Sequence, residues 1–88
     1  MPTPVDGYKR PVQNREAMPT LAQLFGNRVR ELRTSRGWSQ EHFADVCEIH
    51  RSHMGEIERG EVDVALSTLA KVAKGLEMNA GAILKGII

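Results

Sequence analysis

The sequence holds one cysteine, Cys47, among its 88 residues. An internal disulfide framework is therefore excluded, and a lone thiol suits a reducing compartment. No apolar run approaches the roughly 18 residues that mark a membrane span. The leading stretch MPTPVDGYKRPVQNREAMPT has no apolar signal-peptide region. These absences predict a cytoplasmic protein that makes no membrane contact. A large excess of one charge is missing too: 12 Lys and Arg stand against 11 Asp and Glu, a net charge of +1. A domain that gripped nucleic acid by bulk charge would be more basic, so any such role has to rest on charge placement. There is no strand-period segment, no internal repeat and no phosphate-loop glycine pattern. His50, Ser52 and His53 are near one another in sequence, but a triad needs a fixed base and an orienting partner. The chain is expected not to be an enzyme, and no cofactor or small-molecule ligand is evident.

What is present begins with an arm. Residues 1–19 hold all four prolines, Pro2, Pro4, Pro11 and Pro19, and few apolar residues. They are expected to form a flexible N-terminal arm, with 20–88 as a single domain. A chain this short buries a modest core and gains much from oligomerisation. After Pro19 helical periodicity sets in. Phe25, Val29 and Leu32 share one helical face, and Gly37 supplies a left-handed stop. Trp38 is expected in the core. Ser39 is placed to cap a second helix, with Phe43, Ala44 and Cys47 inward. A turn centred on Glu48 leads to a third helix, about 51–59, with Met54 and Ile57 inward and Gly60 as its stop. In a fourth helix Leu66, Leu69, Ala73 and Leu76 form the stripe, and a short fifth follows at about 80–84. The predicted fold class is all-α: a compact five-helix bundle with a helix-turn-helix at its second and third helices.

The stretch CEIHRSHMGEIERG, Cys47 to Gly60, admits two readings. Cys47, His50 and His53 are spaced by three, and on one continuous helix they would converge on a metal. The turn interrupts that helix, so no metal site is expected, and Cys47 is read as a small core residue.

The ordered pattern GNRVRELRTSRGWSQEHFA, IHRSHMGEIERG and LSTLAKVAKGLEM resembles the phage-repressor-like, XRE-type helix-turn-helix family. Within it, GEIERGEVDVAL is similar to controller proteins of restriction–modification systems. The resemblance runs from Leu24 to about Leu84. It implies a DNA-binding transcriptional regulator that binds a double-stranded operator as a homodimer, with the third helix in the major groove. On that helix the face away from Met54 and Ile57 carries the expected base readers Arg51, Ser52, Gly55 and Glu56. Arg51 suits guanine O6 and N7, Glu56 suits a cytosine amino group, and Ser52 suits either base type. Gly55 would let the helix approach DNA closely. His53 lies at the flank of this face. Gln40 and Arg59 match family positions for the DNA backbone, and His53 is grouped with them. Arg33 and Glu58 match positions that form a structural ion pair. The dimer interface is expected around Ile83, Leu84, Ile87 and Ile88. Four positions depart from the family pattern: Glu48 stands where glycine is usual, Ala65 where a Ser or Thr cap is usual, His42 where a capping-box Glu is usual, and apolar Val46 where a charge is usual. Beside the regulator stands a second reading, an antitoxin or adaptor whose helix-turn-helix domain mainly binds a protein partner.

Overall fold

The computed structural model describes residues 18–88. Of the expected arm, only Met18 and Pro19 fall within them, and both are exposed. Five helices follow: α1 (Leu21–Ser35), α2 (Gln40–Cys47), α3 (Arg51–Glu58), α4 (Leu66–Leu76) and α5 (Ala80–Leu84). No strand occurs among the described residues. Nor is any described helix long and apolar enough to cross a membrane.

Local chemistry sets the helix ends. Thr20 opens α1 with a reciprocal capping box: its hydroxyl accepts the Gln23 amide at 3.1 Å, and Gln23 Oε1 accepts the Thr20 amide at 2.9 Å. Ser39 Oγ accepts the His42 amide at 3.0 Å and opens α2. The α2–α3 turn runs through Glu48, which takes the left-handed region at φ 59° without being glycine. Two amides pin it there: Glu48 N–H donates to the Asp45 carbonyl and Ile49 N–H to that of Ala44. The turn geometry is thus intact despite the missing glycine. His50 Nδ1 accepts the Ser52 amide at 3.2 Å and caps α3. Ala65 caps α4 with no side-chain bond.

The helices enclose one core. Phe25 and Val29 of α1 meet Phe43, Ala44 and Cys47 of α2, Met54 and Ile57 of α3, and Val72, Ala73 and Leu76 of α4. Ile49 of the turn and Ile83 of α5 complete it. α1 packs on α3 and α5, α2 on α3 and α4, and α4 on α5. Two glycines permit the closest approach. A Cβ at Gly26 would collide with the Ile57 and Glu58 carbonyl oxygens, so α1 rests on the backbone at the end of α3. Gly60, at φ 72°, lies where a Cβ would stand 2.6 Å from Gln23 Cα.

Three expectations change. Ile83 is fully buried and belongs to the monomer core, not to a dimer surface. The short α5 has one inward position facing the core, and Ile83 occupies it. Leu66, expected in the core stripe of α4, is 83% exposed, because the first turn of that helix projects past its neighbours. Trp38 is half-buried rather than enclosed: it stacks on Phe43 at 5.8 Å and lies beneath the Arg36 guanidinium at 5.7 Å.

Candidate nucleic-acid interface

α3 is fixed from below by a single carboxylate. Glu58 is 1% exposed. Arg33 grips it with two parallel bonds, Nε to Oε2 at 2.7 Å and an η-nitrogen to Oε1 at 2.9 Å. The same guanidinium donates to the Trp38 carbonyl at 2.9 Å, so one side chain links α1, the α1–α2 loop and α3. The hydrogen bond to Glu58 raises the Arg33 pKa above its ordinary value. A buried pair of this kind adds orientation more than net stability, and removing one partner strands the other. Gln40, the first residue of α2, also donates to Glu58 Oε1, at 3.0 Å. The carboxylate therefore sets α2 against α3 as well.

Above this anchor the outer face of α3 is polar. Arg51 and Ser52 are exposed, while His53 and Glu56 are half-buried. Their heads are engaged within the fold. Arg51 donates to Glu41 Oε2 at 2.7 Å across the turn. Both the amide and the hydroxyl of Ser52 reach His50 Nδ1. His53 Nδ1 lies 3.2 Å from Glu56 Oε1, and Arg59 makes a bidentate pair with Glu61 at 2.8 and 3.2 Å. Solvent screens pairs as accessible as these, so they open readily for a stronger partner. Gly55 differs from its expected place. It is buried, and a Cβ there would stand 2.9 Å from an Arg59 η-nitrogen and 3.5 Å from Gln40 Oε1. Gly55 is the floor beneath those two side chains, not part of the outermost edge. Glu41 and Glu61 were not singled out by the sequence. Glu61 is two residues from Arg59 and readable in principle, whereas the Arg51–Glu41 contact depends on the turn.

Cys47 faces away from this surface. Its thiol is buried against Gly75, and burial pushes its pKa up to about 11. Among the described residues no three His, Cys, Asp or Glu side chains gather as a metal site.

A second surface lies where α1, α4 and the C-terminal segment meet. Leu21, Phe25, Leu66, Leu69, Leu84 and Ile88 line an apolar groove there. Leu66 and Ile88 are each 83% exposed. Arg28 secures this segment by donating to the Ile83 and Lys85 carbonyls at 2.9 and 3.0 Å. Of the expected interface residues, Leu84 and Ile88 line the groove, and Ile87 is half-buried beside it.

The helix pair, its turn and the locked carboxylate define a helix-turn-helix domain. A family profile described as "Helix-turn-helix domain" matches residues 24–82. The chain belongs to the phage-repressor-like, XRE-type helix-turn-helix family. It is 43% identical over 54 residues to the control protein C.BamHI of Bacillus amyloliquefaciens, covering 60% of this chain and 67% of that one. It is 38% identical over 63 residues to YonR of Bacillus subtilis, an SPbeta prophage-derived uncharacterized HTH-type transcriptional regulator, covering 72% of this chain and 58% of that protein. Among solved structures, the restriction-modification controller protein C.AhdI from Aeromonas hydrophila superposes with a TM-score of 0.68 at 39% identity, over 70% of this chain and 94% of that one.

Proposed function

We propose that the protein is a sequence-specific regulator of transcription that binds a pseudo-palindromic operator in double-stranded DNA as a homodimer, with α3 in the major groove. The observation that carries this reading is the exposed N-terminal end of α3, offering Arg51 and Ser52 from a helix that Glu58 locks to both α1 and α2. Recognition helices of this kind present their N-terminal residues to base edges. Arg51 reads guanine, Ser52 and Glu56 contribute to base choice, and Gln40, Arg59 and His53 hold the backbone. The relatives named as control proteins favour a restriction–modification controller as the subclass.

The homodimer rests on the apolar groove. Leu66 and Ile88 are exposed at the rim of this groove, with half-buried Leu84 in its lining, an apolar surface of the kind that marks an interface. Two-fold pairing there sets two copies of α3 about 34–36 Å apart, one turn of DNA. Selection of bound duplexes from a random pool tests the proposal directly. The expected product is one pseudo-palindromic site with two half-sites a helical turn apart. A pool that stays random after repeated selection would overturn it.

A further inference from the structure

Six arginines lie in the described residues: Arg28, Arg30, Arg33, Arg36, Arg51 and Arg59. Five of them are committed. Arg28 holds the Ile83 and Lys85 carbonyls, Arg33 holds Glu58, and Arg36 donates to the Leu32 and Leu76 carbonyls at 2.9 and 3.0 Å. Arg51 and Arg59 pair with Glu41 and Glu61. Arg30 alone donates no hydrogen bond to a described residue. Its Nε sits 3.7 Å from Glu58 Oε1, beyond hydrogen-bond length, and its side chain is 49% exposed.

That position has a consequence for charge. Two arginines, Arg33 and Arg30, share the one Glu58 carboxylate, so the cluster carries a net positive charge whose exposed part is Arg30. Gln40 Nε2 reaches the same Glu58 oxygen at 3.0 Å, so the Arg30 and Gln40 heads both converge on Glu58 Oε1. Gln40 uses one of its two amide hydrogens on Glu58 and keeps the other. It is also the first residue of α2, where free backbone N–H groups and the helix dipole favour an anion. Gly55 leaves room for Gln40 to lie across α3.

We propose that Arg30 is a DNA-backbone ligand, gripping a phosphate together with Gln40 over the carboxylate of Glu58. This deepens the DNA-binding reading above and rests on it. Arg30 has spare guanidinium donors for a phosphate oxygen, and Gln40 fixes where that oxygen sits.

The test uses the full chain with Arg30→Ala, Arg30→Gln and Arg30→Lys variants, titrated against random-sequence duplex DNA and the selected operator across a salt series. A phosphate contact contributes about 0.9 to the slope of log affinity against log salt. Arg30→Ala and Arg30→Gln should each flatten that slope by about one per chain. The loss should be equal on operator and random DNA, because phosphates carry no sequence information. Arg30→Lys should restore the slope. If Arg30→Ala lowers the melting temperature but keeps the wild-type slope, Arg30 merely screens Glu58 and the proposal fails while DNA binding stands. Absence of wild-type binding to any duplex at low salt would overturn both readings at once.

Discussion

Under the proposed function the Arg51 guanidinium has two alternatives: Glu41 in the free protein and a guanine edge in the complex. The first is an exposed pair of about 0.2–1 kcal/mol, the second a bidentate contact of roughly 1–3 kcal/mol. The base wins, and Glu41 keeps the arginine close to its working position meanwhile. Arg51→Ala should therefore cost roughly 1–3 kcal/mol on the preferred site and relax selectivity at one base position per half-site. Gln40→Ala should weaken every sequence alike, since the contact proposed for it is to the backbone. A panel of operator mutants measured against both variants distinguishes them. Identical profiles would sink this division of roles. The residues themselves were readable from the ordered pattern, but their free-state partners were not. Spacing could put Arg51, Ser52 and Gly55 on one side of a helix. It could not show that Gln40 and Arg59 fold across Gly55 and enclose it, because side-chain paths from two other places on the backbone decide that.

The helices show where local signals suffice. The first three follow from periodicity plus a stop or a cap, and Ser39, Gly37 and Gly60 act as their residue types dictate. One signal went unread: Thr20 and Gln23 have the spacing of a capping box and form it. Leu66 was misread for a physical reason. Period identifies a stripe along α4, but not how far along it the neighbouring helices reach, so the first leucine of the stripe faces the open groove. The uncapped start of α4 offers a clean test. Ala65 already has the extended backbone of a cap, at φ −65° and ψ 153°, and lacks only an oxygen. Ala65→Ser should add about 0.5–2 kcal/mol of stability, read as a higher urea midpoint with an unchanged slope. An unchanged midpoint would mean that the free amides of that turn already have water partners as good.

For the whole molecule the question is what covers the groove. Leu66 and Ile88 contribute little to the core at 83% exposure, so polar replacements there cost the monomer little. Leu66→Ser with Ile88→Ser should give a folded monomer in sedimentation and a much weaker operator complex. Wild-type protein that stays monomeric at tens of micromolar, yet holds a single half-site tightly, would refute the dimer. Ile83 is the wrong residue for that experiment, because it is part of the core and its loss would destabilise the monomer as well. The crowding of apolar residues near the C-terminus was legible in the sequence. Their division between core and groove was not, since the step of about 100° between successive helical residues separates Ile83 from Leu84 in direction but not in composition.

Cys47 is the only thiol in the sequence, closed in against Gly75, with ionisation delayed to about pH 11. A thiol-specific dye attacks the thiolate, so at neutral pH the native protein should label slowly and chiefly during moments of opening. Cys47 is the last residue of α2, next to the turn into α3, so its labelling reports on opening at that end of the helix. The protein thus carries an internal clock for the integrity of its own reading head. DNA that binds only the closed form slows that clock by a factor of one plus its concentration over Kd. With operator at about 100 times Kd, labelling should slow roughly a hundredfold, while a non-binding duplex leaves it unchanged. An operator that saturates the protein without slowing the dye would show that Cys47 opens independently of the surface that holds DNA.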